Sequence, residues 1–161
     1  MAHRLILVNG LPGSGKSTLA GRLAPALRVP LIGKDALKEA MAKAAPGVPP
    51  DAFGPVAAAV MWELAAATPG VVILESWWFR PRDLEFVTEG ITHCGAVSVV
   101  EIWCSVPPEL ALARRPQLYD QPQWMAEAGP LGVGPVIHVD NDRPVIATAL
   151  IEAISQSIGG V

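Results

Sequence analysis

Residues 10–17, Gly10-Leu11-Pro12-Gly13-Ser14-Gly15-Lys16-Ser17, fill every fixed position of the pattern G-x-x-x-x-G-K-[ST]. Glycines at these positions let the backbone wrap round a phosphate with its N–H groups pointing inward, and a helix that begins at the lysine turns its positive dipole end toward the same anion. Lys16 then reaches the β- and γ-phosphates, Ser17 can hold Mg²⁺, and Thr18 adds a hydroxyl toward the α-phosphate. The apolar run Leu5-Ile6-Leu7-Val8 just before the loop reads as a buried strand, the context that separates a phosphate loop from an accidental Gly-Ser-rich turn. Gly10 to Thr18 are therefore expected to bind a nucleoside triphosphate with Mg²⁺.

Phosphoryl transfer to an alcohol needs a group that accepts the hydroxyl proton and holds the oxygen in line with the γ-phosphate. In Gly33-Lys34-Asp35-Ala36-Leu37-Lys38-Glu39 the candidate base is Asp35, with Lys38 beside it on the acceptor side. Asp35 equally fits the N-cap of a helix starting at Ala36, and one residue can serve both roles. Glu75 closes Val71-Val72-Ile73-Leu74, a layout that carries a carboxylate to the water shell of Mg²⁺. It can instead orient the acceptor, or merely open a loop. Next come Ser76-Trp77-Trp78-Phe79-Arg80, with aromatics that cannot all face the core. Trp78 is expected to line the acceptor cleft and stack on a ring or sugar face, with Arg80 pairing an anionic group. In the alternative packing, Trp77 and Phe79 lie under the neighbouring helix and Trp78 covers its surface.

Strands and helices alternate around these groups. Arg4 to Asn9 reads as a strand, and Lys16 to Leu27 as a helix with Leu19, Leu23 and Leu27 on one face, which Pro25 is expected to kink or end. A short strand, Pro30 to Gly33, precedes a helix from Ala36 to Ala44, and the helical stretch Asp51 to Ala67 carries Val56, Val60 and Leu64 at i, i+4 intervals. Beyond the strand ending at Glu75, helices are expected over Pro81–Thr92, Pro107–Arg115 and Pro144–Ile158, and strands over Ser98–Cys104 and Gly134–Asp140. Continuous apolar strands alternating with helices predict an α/β fold, a parallel sheet with helices on both faces. Ligands then belong at the carboxyl ends of the strands, where Asn9, Lys34-Asp35, Glu75 and Cys104-Ser105 emerge.

At 161 residues the chain is expected to form one domain over 1–161. A net charge of −3 advertises no basic face for nucleic acid or anionic membrane, although a charged patch can hide in an acidic total. Hydrophobic residues make up 51%, yet no apolar run approaches the roughly 20 residues of a membrane span. Met1-Ala2-His3-Arg4 leads straight into the first strand without room for a signal peptide, so a cytoplasmic location is expected. Cys94 and Cys104 lack zinc-type spacing and read as buried free thiols.

Asn9 to Ala20, Gly33 to Glu39, Leu74-Glu75-Ser76 and Glu101-Ile102-Trp103-Cys104 together resemble the small P-loop kinase-like ATPases known as AAA-domain proteins. That group is similar to chloramphenicol phosphotransferase, gluconate kinase, zeta toxin and polynucleotide 5′-kinase. The resemblance implies a single P-loop NTPase domain, a five-stranded parallel sheet in the order 2-3-1-4-5, ATP with Mg²⁺, and transfer to a hydroxyl with Asp35 as base. It leaves the acceptor open, because the group phosphorylates chemically diverse molecules. Relatives follow the fourth strand with a mobile segment bearing several Arg and His residues. Here Ala113-Arg114-Arg115-Pro116 supplies two adjacent arginines and residues 117–133 add none. Arg115 is expected to meet the transferring phosphate and Arg114 the adenine side, unless both are the ordinary basic end of a helix. Arg143 and Pro144 stand where relatives cradle adenine. These features point to an ATP-dependent kinase acting on a small-molecule hydroxyl, as a monomer or homodimer. The alternative is an ATP-binding or ATP-hydrolysing regulatory protein with a reduced lid. The acidic balance and the lack of a second domain disfavour a polynucleotide kinase.

Overall fold

In chain order the elements are β1 (His3–Gly10), α1 (Lys16–Leu27), β2 (Leu31–Gly33), α2 (Lys34–Ala44), a single helical turn (Pro50–Ala52), α3 (Phe53–Ala67), β3 (Val71–Glu75), α4 (Arg80–His93), β4 (Ala96–Ser105), α5 (Pro108–Arg114), α6 (Gln123–Ala126), β5 (Val136–Asp140) and α7 (Ala147–Ile158). The structure, a computed structural model, describes residues 3–116, 123–143, 145 and 147–160. The five strands form one parallel sheet in the order β2-β3-β1-β4-β5. This is the order expected from the resemblance.

Leu5 to Val8 of the central strand are all wholly buried, which requires cover on both faces of the sheet. Alternate side chains supply two cores. Ile6 and Val8 pack with Leu19, Leu23 and Leu27 of α1 and with Leu150, Ile154 and Ile158 of α7. Leu5 and Leu7 pack with Met61, Trp62 and Ala65 of α3 and Val87 of α4. Each such buried aliphatic side chain contributes about 1.5–3 kcal/mol relative to exposure. The helices thus clamp the sheet from both sides, and the carboxyl ends of β1, β2 and β3 are held in register: Val8 lies opposite Glu75, and Glu75 opposite Gly33.

Three local expectations are corrected. Helix α1 runs past Pro25 to Leu27, because a proline in the last turn removes only one bond to the preceding turn. The chain then leaves through Arg28 at φ 56°, with the Val29 N–H donating to the Ala24 carbonyl at 3.0 Å. On α3 the buried stripe is Phe53, Ala57, Met61 and Ala65, while Val56 and Leu64 face outward. This helix is apolar on nearly every side, so spacing alone does not choose its inner face; the Trp62 ring laid against Gly90 of α4 helps fix it. Helix α2 starts at Lys34 with Gly33 as its N-cap, so Asp35 lies inside the first turn and makes no capping bond. The short α6 carries too few residues to show a period.

Candidate active site

The phosphate loop is bent by glycine and fastened from outside. Gly13 and Gly15 have φ of 84° and 80°, a left-handed backbone that glycine alone adopts at little cost. A Cβ on Gly13 would meet the Ala111 carbonyl at 2.8 Å, and one on Gly15 would strike the Asn141 side chain. Asn141 Nδ2 donates to the Ser14 carbonyl at 2.7 Å, and Arg114 Nη1 donates to the Gly13 carbonyl at 2.9 Å. Because the peptide is planar and trans, holding the Ser14 carbonyl on one side turns the Gly15 N–H to the other. The Leu11 carbonyl accepts from the Ser14 N–H at 3.0 Å, closing the turn over Pro12. Gly10 sits so close to β4 that a Cβ there would lie 2.6 Å from the Cys104 carbonyl.

Lys16 opens α1 and is only 8% exposed; its Nζ lies 3.9 Å from Glu75 Oε1. Ser17 Oγ donates to the same carboxylate oxygen at 3.1 Å. Burial lowers the Lys16 ammonium below the ordinary lysine value, against the opposing pull of Glu75 and Asp35, and Arg115 pushes it further down. Burial also raises the Glu75 carboxyl, with Lys16 and Ser17 pulling it back. The neighbouring Cys104 thiol is pushed up to about 12 by burial, which makes it a poor nucleophile. A hydroxyl and a carboxylate in mutual contact are the hard oxygen donors Mg²⁺ takes. Among the described residues no three His, Cys, Asp or Glu side chains gather as a metal site, so an ion here would draw its other ligands from phosphates and water.

These groups open onto a cleft of about 1270 Å³, room for a nucleotide together with a second molecule. Pro12, Gly13, Gly15, Lys16, Ser17, Thr18, Asp35, Lys38, Glu75, Arg114, Arg115 and Arg143 all line it. Eight of the chain's twelve Lys and Arg residues line the cleft, against three of its fifteen acids. An acidic chain therefore holds a cationic groove. The Asp35 carboxylate is exposed there, 4.0 Å from Lys38 Nζ. Helix α5 ends at Arg114, and Arg115 leaves helical geometry at φ −142° ahead of Pro116. Consequently the two arginines diverge: Arg114 fastens the loop, and Arg115 is the one whose charge Lys16 feels. Arg143 pairs with Asp140 at 3.5 Å and Asp142 at 3.9 Å. Pro144, also expected beside adenine, lies outside the described residues, as does the 117–122 part of the expected lid.

Two acceptor-side expectations are corrected. Trp78 is 4% exposed and packs into the core beneath the sheet, with its backbone N–H donating to Asn9 Oδ1 at 2.9 Å. Trp77, on the other side of the extended segment, lines the cleft instead. Arg80 donates to the Leu131 carbonyl and is not among the cleft residues. Arg82, in the first turn of α4, takes that place: its guanidinium lies 5.2 Å over the Trp77 ring and is bound to Asp83 at 2.7 Å.

Sequence reasoning missed one buried network. Glu101, wholly buried in β4, accepts from Asn9 Nδ2 at 3.0 Å and from the backbone N–H groups of Leu131 and Gly132 at 2.8 and 2.9 Å. Asn9 Oδ1 in turn accepts from the N–H groups of Gly10 and Trp78. The start of the phosphate loop, the aromatic segment and the 131–132 backbone are thereby tied to one carboxylate. The signal was a single acid inside the apolar run Val99-Val100-Glu101-Ile102-Trp103. Asn141 was missed because its side chain works on a backbone carbonyl far away in sequence.

Among solved structures the chain is similar to a "putative kinase" of Chloroflexus aurantiacus, 27% identical with a TM-score of 0.76 over 96% of this chain and 95% of that one. It also resembles a gluconokinase of Sinorhizobium meliloti, 22% identical, TM-score 0.57, over 96% and 89%. A shikimate kinase of Bacteroides thetaiotaomicron is 16% identical, with a TM-score of 0.57 over 94% and 96%. The last two establish shared fold only. No curated protein matches the sequence. Among the described residues no helix is long and apolar enough to cross a membrane. The sheet order, the glycine-bent loop and the match of residues 5–124 to the AAA domain agree, and the chain belongs to that family of P-loop kinase-like proteins.

Proposed function

We propose that this protein is an ATP-dependent phosphotransferase that moves the γ-phosphate of ATP-Mg²⁺ to a hydroxyl of a small-molecule acceptor. The observation that carries this reading is Asp35, an exposed carboxylate with no capping duty, in the same cleft as the Lys16–Glu75–Ser17 cluster. The neighbours named as gluconokinase and shikimate kinase agree with it. In the step, the acceptor oxygen attacks the γ-phosphorus, the bond from that phosphorus to the bridging oxygen breaks, ADP leaves with the electron pair, and the hydroxyl proton passes to Asp35. Lys16 and Arg115 offset charge that builds on the transferring group. Mg²⁺, held through Ser17 and Glu75, would neutralise phosphate charge. Removing the Lys16 ammonium by Lys16→Ala is expected to weaken ATP affinity at least about tenfold, or about 1.4 kcal/mol. Titration calorimetry measures this directly, and unchanged affinity would overturn the nucleotide assignment.

One observation favours a regulatory ATP-binding or ATP-hydrolysing protein instead. Arg114 is engaged by the loop backbone, which leaves Arg115 beside Lys16 as the clamp on the phosphate side. A γ-phosphate lost only to water would favour that second reading.

A further inference from the structure

Six of the eight cleft cations, all but Arg22 and Arg143, fall into two groups by the elements that carry them. Lys16 belongs to the phosphate loop, and Arg114 and Arg115 stand at the end of α5 beside it. Lys34 and Lys38 come from the first turns of α2, and Arg82 from α4. These two helices contribute no residue to the phosphate loop, so a triphosphate seated on it does not engage the second group, in which Lys38 pairs with Asp35 and Arg82 with Asp83 while, among the described residues, Lys34 has no ion pair.

Lys34 is the clearest case. It is half-buried, and among the described residues its ammonium makes no hydrogen bond or ion pair. It feels like charges from Arg82 and Lys38 as well as the opposing Asp83 and Asp35, and burial lowers its ammonium below the ordinary lysine value. Arg82 is held in place by the Trp77 face and by Asp83, which takes Nε and Nη2 but not Nη1. Asp35 lines the same cleft, and its own charge would repel an anion unless cations offset it.

Resting on the kinase reading above, we propose that the acceptor is itself an anion, a small hydroxyl compound with a carboxylate or phosphate ester that seats against Lys34 and Arg82 beside Trp77 and so presents its hydroxyl to Asp35. Lys38 adds to the field at the mouth of this subsite. Trp77 supplies a flat apolar wall against which a carbon skeleton can lie.

The test fills the nucleotide site first, with the non-hydrolysable β,γ-imido analogue of ATP and Mg²⁺, so that no added anion can take the γ-phosphate position. Glycerol, glycerate and glycerol phosphate, which share a skeleton and differ in charge, are then titrated by calorimetry or NMR into wild type and into Lys34→Met, Arg82→Met and Lys43→Met. The expected result is that at least one of the two anions binds more tightly than glycerol by about tenfold or more, and which one it is separates a carboxylate from a phosphate site. Lys34→Met and Arg82→Met are each expected to weaken that binding at least about fivefold, while Lys43→Met, at the far end of α2, leaves it unchanged. Normal analogue binding with no anion preference, or with a preference that survives both substitutions, overturns the anionic acceptor and leaves the kinase reading standing. Failure of the analogue itself to bind overturns both.

Discussion

Replacing Glu101 by alanine removes the acceptor for two buried donors, the Asn9 amide and the Leu131 N–H, and for the part-buried N–H of Gly132. Each buried donor left without a partner costs about 1–3 kcal/mol, so the two buried donors set an upper bound of about 6 kcal/mol, the Gly132 N–H being able to turn to water. Water entering the space left by the side chain recovers part of this, and about 4 kcal/mol is the expected loss. Against a typical total of about 5–15 kcal/mol that is a large fraction. With a urea dependence of about 2 kcal/mol per molar, the unfolding midpoint falls by about 2 M. Glu101→Gln keeps one acceptor oxygen but turns an NH₂ group toward an N–H, so about half the effect is expected. The assay is urea unfolding followed by far-ultraviolet circular dichroism. A Glu101→Ala midpoint within about 0.5 M of wild type would refute the claim that this carboxylate ties the three segments together.

Arg115→Ala is expected to lower the transfer rate by about a hundredfold through loss of charge at the transferring phosphate, whereas Arg114→Ala acts mainly on nucleotide affinity by releasing the Gly13 carbonyl; steady-state kinetics of the two variants separates the rate effect from the binding effect. Burial holds the Glu75 carboxyl above its ordinary value, so the folded nucleotide-free chain keeps a proton that the unfolded chain has lost. The contribution of Glu75 to stability is therefore fully present below the ordinary carboxylate range and is lost as pH rises through the raised value, and Glu75→Gln removes that part of the slope in urea midpoints taken from about pH 4 to about pH 8.

The phosphate loop, the strand–helix alternation and the end-of-strand positions of Asn9, Asp35 and Glu75 were legible because they rest on local pattern, whereas the strand order came from the family resemblance. A glycine-lysine spacing or a continuous apolar strand has the same meaning wherever it occurs. What stayed hidden depends on packing between distant segments. Trp77 and Trp78 have the same composition around them, and only the alternation of the chain after β3 decides which one reaches the cleft. Arg80 and Arg82 differ by two positions on α4, and it takes the Leu131 carbonyl to draw one away and the Trp77 face to hold the other. The inner face of α3 was unreadable for the opposite reason, since Val56 and Leu64 are as apolar as the residues that are buried. Nor did a formal charge of −3 disclose that most of the basic residues share one groove.

In the proposed reaction a γ-phosphate leaves ATP for a hydroxyl, with Asp35 taking the proton. Incubating the protein with γ-labelled ATP-Mg²⁺, a panel of small hydroxyl acids and phosphate esters, and a small-molecule extract tests this most directly. Label is predicted to appear in an acid-stable phosphate ester, and Asp35→Asn is predicted to reduce that product by about two orders of magnitude with ATP binding preserved. Label that stays in ATP, or passes only to inorganic phosphate, would contradict the claim, and so would an Asn variant that forms the ester at the wild-type rate.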